Sequence, residues 1–292
     1  MRVLRYFRVA FESIRAHMMR AILTMLGIII GITAVLSTVG MGSGAAASIT
    51  ARIESGGTNL LTVSSSGSGS TLTMSDAETL AHKATHPNIA LIAPEYAASA
   101  TLIAGSTETT NQVAGITPDY AKVTNMDLAE GTFFNETQVE EQALVAVLGS
   151  TVASDLFEDV SAVGQEVRIN NDTFQVIGVL EEVGGRNGPD SEVYVPISVA
   201  QVRLFNADRY RGSYTVTGLS ITAASSEVVD AAELQIERTL RMLHGLDANT
   251  DNDFNIFNQA SLLEIADDVS GTMTTLLGSI GAVSLIVGGI GI

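Results

Sequence analysis

The sequence predicts an α+β domain held outside a cell membrane and carried on transmembrane helices. Three observations lead there. Two long stretches, 21–51 and 269–292, contain no charged residue. Ahead of the first, Arg2, Arg5, Arg8, Arg15 and Arg20 face a single acid, Glu12, a balance of +4, so the rest of a chain whose total is −17 carries −21. Between the two apolar stretches, short strand-like and helix-like patterns mix without regular β-α-β alternation, which favours α+β over a doubly wound sheet.

Residues 1–19 come first. Leu4, Phe7, Phe11, Ile14 and Met18 recur at three- and four-residue steps, with the arginines to either side. That spacing predicts an amphipathic helix lying on the inner leaflet. The first span follows at 20–42. Its core, AILTMLGIIIGITAVLSTVGMG (21–42), reaches about 33 Å as a helix, enough for the hydrocarbon layer. A cleaved signal peptide is the rival, with Ala45-Ala46-Ala47 as its site, but the apolar run is too long for one. The arginines ahead of the span put the N-terminus in the cytoplasm and residues 43–270 outside. Gly27 and Gly31 form a G-x-x-x-G that lets another helix approach closely, in the same subunit or in a second copy.

In the outer domain, Gly56-Gly57 ends the helix that continues the first span. NLLTVS (59–64) alternates as a strand, and SSSGSGS (64–70) is a flexible loop. Ser75 with Glu78 predicts a capping box for a helix to about Ala84. Strands are expected at 89–94, 96–104 and 108–116. LVAVL (144–148) reads as a buried strand, with Ser150 capping a helix through Phe157. The clearest hairpin is VRINNDTFQVIGVL (167–180), turning on Asn170-Asn171-Asp172. VYVPI (193–197) continues the sheet, a short helix covers 200–205, and 214–222 forms another strand. Ser226 caps a longer helix ending near Gly245, whose buried face is Val229, Ala232, Ile236, Leu240 and Leu243. A last strand covers 254–257. A second lobe at about 120–223, inserted in the first, is also expected.

From Ser261, apolar residues Leu262, Ala266, Val269, Met273, Leu276 and Ile280 alternate at four and three. That phase runs unbroken from acidic into apolar sequence, as a stalk entering the membrane would. The second span is 271–292. Ser284 and Gly288 repeat the small-residue spacing. A run without charge up to Ile292 reads as the beginning of a helix belonging to a longer chain.

Composition excludes several functions. The acidic body repels nucleic acid. With no cysteine there is neither a disulfide framework nor thiolate chemistry. The two lysines, Lys83 and Lys122, stand in no P-loop, and neither H-E-x-x-H nor G-x-S-x-G occurs. His82 and His86 could share a helix face as metal ligands, but no third ligand is evident, and a solvated helix end is the plainer reading. Glu140-Glu141, Glu181-Glu182 and Asp267-Asp268 are sequence neighbours that point apart, and so read as solvated surface. No catalytic, cofactor-binding or metal residue is therefore assigned, and the chain is not expected to be an enzyme. Asn135-Glu-Thr and Asn171-Asp-Thr fit the glycosylation sequon, and so do chance matches.

Taken together, several stretches resemble the MacB-type permease subunits of ABC transporters. They are LTMLGIIIGITAV (23–35), GGTNLLTV (56–63), GITPDYAKV (115–123), LAEGTFF (128–134) and ALVAVLGSTVASDLF (143–157). VGQEVRINNDTFQVIGVL (163–180), VYVPISVAQVRLF (193–205) and LLGSIGAVSLIVGGIGI (276–292) continue the series in the family's order. The resemblance implies a MacB-like periplasmic core behind a first span, with three more spans after it. It implies an ABC ATPase as cytoplasmic partner, a homodimer, and an adaptor or substrate-binding protein outside, with no cofactor of its own. It implies export driven by mechanotransmission, the ATPase moving the outer domain from across the membrane. An FtsX-like regulator of an outside enzyme and a two-span extracellular sensor are the alternatives.

An acid-rich surface of this kind suits a high-salt medium. Lowering the salt is expected to lower the thermal midpoint of the purified chain, measured by circular dichroism. Mass spectrometry of native protein reads the two sequons directly, and unmodified asparagines at both would dispose of glycosylation.

Overall fold

A computed structural model describes residues 59–66, 72–158, 160–184 and 188–259, together with separate residues between 18 and 44 and between 261 and 283. The chain divides into two compact units, Met1–Glu54 with Ser261–Ile292, and Ser55–Ala260.

The first unit contains the regions expected as inner-leaflet helix and spans. Most of 1–19 and 271–292 and part of 20–42 lie outside the described residues, as do Gly27, Ser284 and Gly288. Every residue described in this unit is helical. Among the described residues, no helix is long and apolar enough to cross a membrane. Large apolar side chains there are exposed, Met19 at 74% and Leu36 at 67%. A Cβ placed on Gly42 would stand 4.0 Å from Met273 Cγ, so the two segments of this unit meet at these residues.

In the second unit, a ten-stranded sheet runs in the order β12-β1-β11-β2-β3-β8-β5-β7-β4, with β6 beside β2 and β7. The strands are β1 (Leu60–Ser65), β2 (Ile89–Ala104), β3 (Thr107–Ile116), β4 (Leu128–Gly131), β5 (Val145–Leu148) and β6 (Glu166–Ile169). They continue with β7 (Asp172–Leu180), β8 (Glu192–Pro196), β11 (Gly218–Ala223) and β12 (Phe254–Asn258). A separate ribbon pairs β9 (Arg209–Tyr210) with β10 (Ser213–Tyr214). The helices are α1 (Met74–Leu80), α2 (Tyr120–Val123), α3 (Glu136–Glu140), α4 (Ser150–Phe157), α5 (Ile197–Val199) and α6 (Val229–His244). A π-helical stretch, Ala200–Leu204, prolongs α5.

The core forms three clusters. One packs α4 and α5 against Leu102, Val113, Leu148, Phe174 and Val195. Another packs α1 and α6 against β1, β11 and Phe254. The third gathers Ile116, Tyr120, Phe134, Val147 and Tyr194.

The hairpin expected at 167–180 forms, with Ile169 opposite Asp172 and Asn170 at a left-handed φ of 51°. The strand at 145–148 is buried along its whole length. Elsewhere the structure corrects the sequence. The capping box belongs to Thr73 and Asp76, two residues before the Ser75–Glu78 pair, and the helix ends at Leu80. The N–H of Ser75 donates instead to Ser213 Oγ at 3.1 Å.

The strands expected at 89–94 and 96–104 are one strand, in spite of Pro94. Glu95 C=O accepts from Thr217 N on the β11 side, so the Pro94 nitrogen faces the other way. There the β3 ladder already ends at Glu95↔Ile116, and no ladder bond is lost. Ser150 does not cap α4. It is the first helical residue, and Gly149 is the N-cap, with no side-chain bond. A Cβ at 149 would stand 2.2 Å from Pro189 O, so only glycine fits.

The strand expected at 214–222 splits between β10 and β11, because Val216 N donates to Leu72 O between them. Ser226 opens a 3-10 turn, and α6 starts at Val229 without a side-chain cap. Its expected face is buried at Val229, Ala232, Ile236 and Leu240, and only half-buried at Leu243.

Phe174 is fully buried in the first cluster. Phe174→Ala is expected to cost about 3–5 kcal/mol of stability, read by denaturant unfolding. Gly149→Ala drives a methyl group into backbone, and should destabilise by about 1–3 kcal/mol in the same assay.

Candidate functional site

Alternating strand register puts both ends of the outer unit's chain on one strand pair. β1 and β12 are antiparallel neighbours, with Leu61 opposite Asn258. The segment before β1 and the segment after β12 therefore leave the sheet side by side, at its edge. Each is tied down. Asn59 Nδ2 donates to Ala223 O at 2.8 Å, and Ala223 N donates back to Asn59 O at 2.8 Å. Asn258, itself buried, donates to Glu233 Oε2 of α6 at 3.1 Å. Leu61, Val63 and Phe254 pack with Ile236 and Leu240, so the two strands and α6 share one core cluster.

The heptad residues described, Val269, Met273, Leu276 and Ile280, are all helical. Met273 is half-buried, and the other three are exposed, so most of this stripe is not used in packing within the chain. Leu262 and Ala266 lie outside the described residues.

The sequence-level metal pair separates. His82 is exposed, whereas His86 turns into the core, its Nε2 2.9 Å from Thr239 Oγ1 and its Nδ1 3.0 Å from Thr85 Oγ1. Among the described residues, no group of three or more His, Cys, Asp or Glu side chains could hold a metal ion. Glu140 and Glu141 close α3 in solvent. Glu181 and Glu182 line a cleft of about 720 Å³ with Lys122 and Asp127. Asp268 is exposed, and Asp267 lies outside the described residues. Of the sequon residues, Asn135 caps α3, accepting from Gln138 N at 3.0 Å, and Asn171 is exposed at the hairpin turn.

Sequence reasoning missed a line of buried titratable groups through the third core cluster. Tyr120 donates to Glu95 Oε2, and Tyr194 donates to Glu192 Oε2, each at 2.9 Å. The two phenol rings lie 6.3 Å apart. Glu95 and Ile116 pair across β2 and β3, Ala114 and Tyr194 across β3 and β8, which draws residues far apart in sequence onto one sheet face. Nothing local marks these glutamates as buried. Burial pushes both carboxyls above the ordinary range, Tyr120 or Tyr194 opposing it, and the neighbouring Glu192 charge raises Glu95 further. Burial, with the glutamate charges added, pushes both phenols well up.

A family described as MacB-like periplasmic core domain matches residues 21–239. The macrolide export ATP-binding/permease protein MacB of Azoarcus sp. (strain BH72) is 35% identical over 98% of this chain and 43% of its own length. The pyoverdine export ATP-binding/permease protein PvdT of Pseudomonas fluorescens (strain Pf0-1) is 32% identical over 94% of this chain and 41% of its own. The chain thus spans less than half the length of these curated relatives. Among solved structures, the periplasmic region of MacB from Actinobacillus actinomycetemcomitans aligns with a TM-score of 0.61 at 23% identity, covering 75% of this chain and 98% of that one. The extracellular domain of YknZ from Gram-positive bacteria aligns at 0.55 and 20% identity, over 68% of this chain and all of that one. Both likenesses concern the fold, and they agree with the α+β class read from the sequence.

A carboxyl whose folded pKa is raised contributes stability in acid that is lost as the pH rises through that value. Glu95→Gln keeps an acceptor for Tyr120 and removes the buried charge. It is expected to raise the thermal midpoint at neutral pH, with the difference from wild type vanishing below the ordinary glutamate range, as followed by calorimetry across pH.

Proposed function

The chain belongs to the MacB-like periplasmic core domain family, and from that footing we propose that it is part of the permease subunit of an ABC transporter working in export. Residues 1–19 lie on the inner leaflet, 20–42 and 271–292 cross the cell membrane, and 43–270 form the outer domain, with a lobe inserted at about 120–223. The N-terminus is cytoplasmic, and further spans make the whole subunit multi-pass. ATP is hydrolysed on an ABC ATPase partner at the cytoplasmic face, and the permease acts as a homodimer. An adaptor or substrate-binding protein meets it outside.

One observation supports the mechanism: the first and last strands of the outer unit are a single hydrogen-bonded pair, Leu61 opposite Asn258. Closure of the ATPase dimer tilts the stalks 42–55 and 260–275. Because both stalks enter one strand pair that shares a core cluster with α6, their tilt moves the outer domain as a block. Transport then needs no route for substrate between the helices. Exposed apolar side chains on the helical unit, Ile22, Met25, Ile29 and Ile32 among them, suit contact with lipid.

Glycine insertions beside Val269 soften one stalk. In cells they are expected to abolish coupled export of a macrolide probe while the assembled complex still hydrolyses ATP. Export that survives the insertion would refute rigid transmission. Activation of an external hydrolase without export would support the FtsX-like reading instead. Protease added to sealed cells is expected to remove residues 60–255, and protection until the cells are permeabilised would invert the topology.

A further inference from the structure

At the end of α6, one imidazole faces two carboxylates. His244 is the last residue of the helix, ahead of Gly245 at a left-handed φ of 71°, and its side chain is only 3% exposed. Its Nδ1 lies 2.8 Å from Asp253 Oδ1, in the loop before β12. Its Nε2 lies 3.6 Å from Asp76 Oδ2 on α1. The ring stands edge-on to Phe254, centroids 5.8 Å apart. A neutral imidazole has one N–H and one lone pair, so it can donate to only one of two carboxylates and turns a lone pair on the other. Imidazolium donates to Asp253 and sets its positive charge 3.6 Å from Asp76. The C-terminal end of α6 favours that positive charge as well.

We propose that His244 is a pH-operated clamp: as imidazolium it ties α1, the end of α6 and the loop 246–253 together, and on losing its proton it keeps the loop through Nδ1–H and releases α1. The release falls on the Asp76 side. Asp76 keeps two donors from Thr73, its N–H and its hydroxyl, each at 2.8 Å, whatever the state of the imidazole. The Nδ1–H keeps its 2.8 Å bond to Asp253 in either state.

Charged groups surround the clamp on every side. On α1 they are Asp76 and the exposed Glu78. Arg209 and Arg211 come from the β9–β10 ribbon, Arg211 donating to Leu243 O, and Tyr210 lies beneath Arg211. On α6, Arg241 holds the same loop by donating to Asp247 O and Thr250 O. The loop itself brings Asp247, Asp251 and Asp253, and β1 is linked through Ser66 N, which donates to Asp253 O at 2.9 Å. The Asp76 carboxylate, with Asp253 beside it, holds His244 above the ordinary histidine range against the effect of burial. Burial alone would push Asp76 up, but hydrogen bonds from His244 and Thr73 outweigh it and hold the carboxyl down.

The contribution of His244 is complete below the ordinary histidine range and is lost as the pH rises through its raised value. The contribution of Asp76 is present above the ordinary aspartate range and is lost as the pH falls through its lowered value. The clamp is therefore closed from mild acid to above the free-histidine value, and opens on the alkaline side. None of this depends on the transport reading, because every group belongs to the outer unit.

The chain has no cysteine, so Glu78→Cys and Asp251→Cys, both at exposed positions, accept spin labels at two defined places. Pulsed electron paramagnetic resonance on the full chain in lipid nanodiscs gives the distance between α1 and the loop, from about pH 6 to about pH 9.5. A narrow distribution at the acid end and a longer, broader one at the alkaline end are expected, with a midpoint above about 6.5. Asp253→Asn should move that midpoint down. His244→Gln should give the released distribution at every pH, and if it does not fold, the Asp253→Asn shift decides. A distribution unchanged across the range, or a midpoint that Asp253→Asn leaves in place, would overturn the clamp.

Discussion

The antiparallel pairing of β1 with β12 is the constraint on which the rest of this protein depends. It brings two sequence-distant points, Leu61 and Asn258, into register at the edge of the sheet. A domain whose chain ends were far apart would receive two independent displacements from two helices. Here the first and last strands of the outer unit form one hydrogen-bonded pair. α6 lies over that unit through Ile236 and Leu240, and its own polar side chains reach back to it, Glu233 to Asn258 and Glu237 to Asn252. Stiffness at the crossings thus comes from backbone ladder, apolar packing and side-chain bonds at once.

The outer unit keeps its polar interior in two places of opposite electrostatic character. Along the β2–β3–β8 face, Glu95 and Glu192 are half-buried against phenols, and burial raises both carboxyls, so ionisation at neutral pH works against the fold. Around His244, the buried carboxylate Asp76 meets a group that can match its charge. Buried charge without a partner is costly, and paired, hydrogen-bonded charge is far less so. Both sites therefore lose stability as the pH rises, the glutamates by gaining charge and the histidine cluster by losing its cation, and Asp76, whose carboxyl is held low, is the group that acts in the other sense.

Some of the fold was legible because its causes are local. The hairpin over 167–180 follows from β-branched strands around asparagines that tolerate left-handed backbone, and Asn170 takes that conformation. The buried strand at 145–148 follows from an uninterrupted apolar run. Errors arose where a local signal had a distant competitor. Ser75 looked like a cap, but its N–H is taken by Ser213, and Thr73 is held in extended backbone beside Thr215. The stretches 89–94 and 96–104 looked like two strands, yet they are one, and Pro94 stands where the neighbouring ladder has already stopped. His86 looked like a helix-face ligand, and its partner Thr239 belongs to another helix.

The amino-acid order by itself determined the two charge-free stretches, the basic run ahead of the first, the acidic body between them, and the mixed α+β class. These are sums over contiguous residues, and hydrophobic transfer and charge balance act on them wherever the chain folds. Tertiary structure alone decided which strands stand side by side at the two ends of the outer unit, which glutamates meet phenols, and that Asp76, His244 and Asp253 meet. Those outcomes depend on strand order and register, and a one-residue slip in register would turn the same side chains to the opposite face.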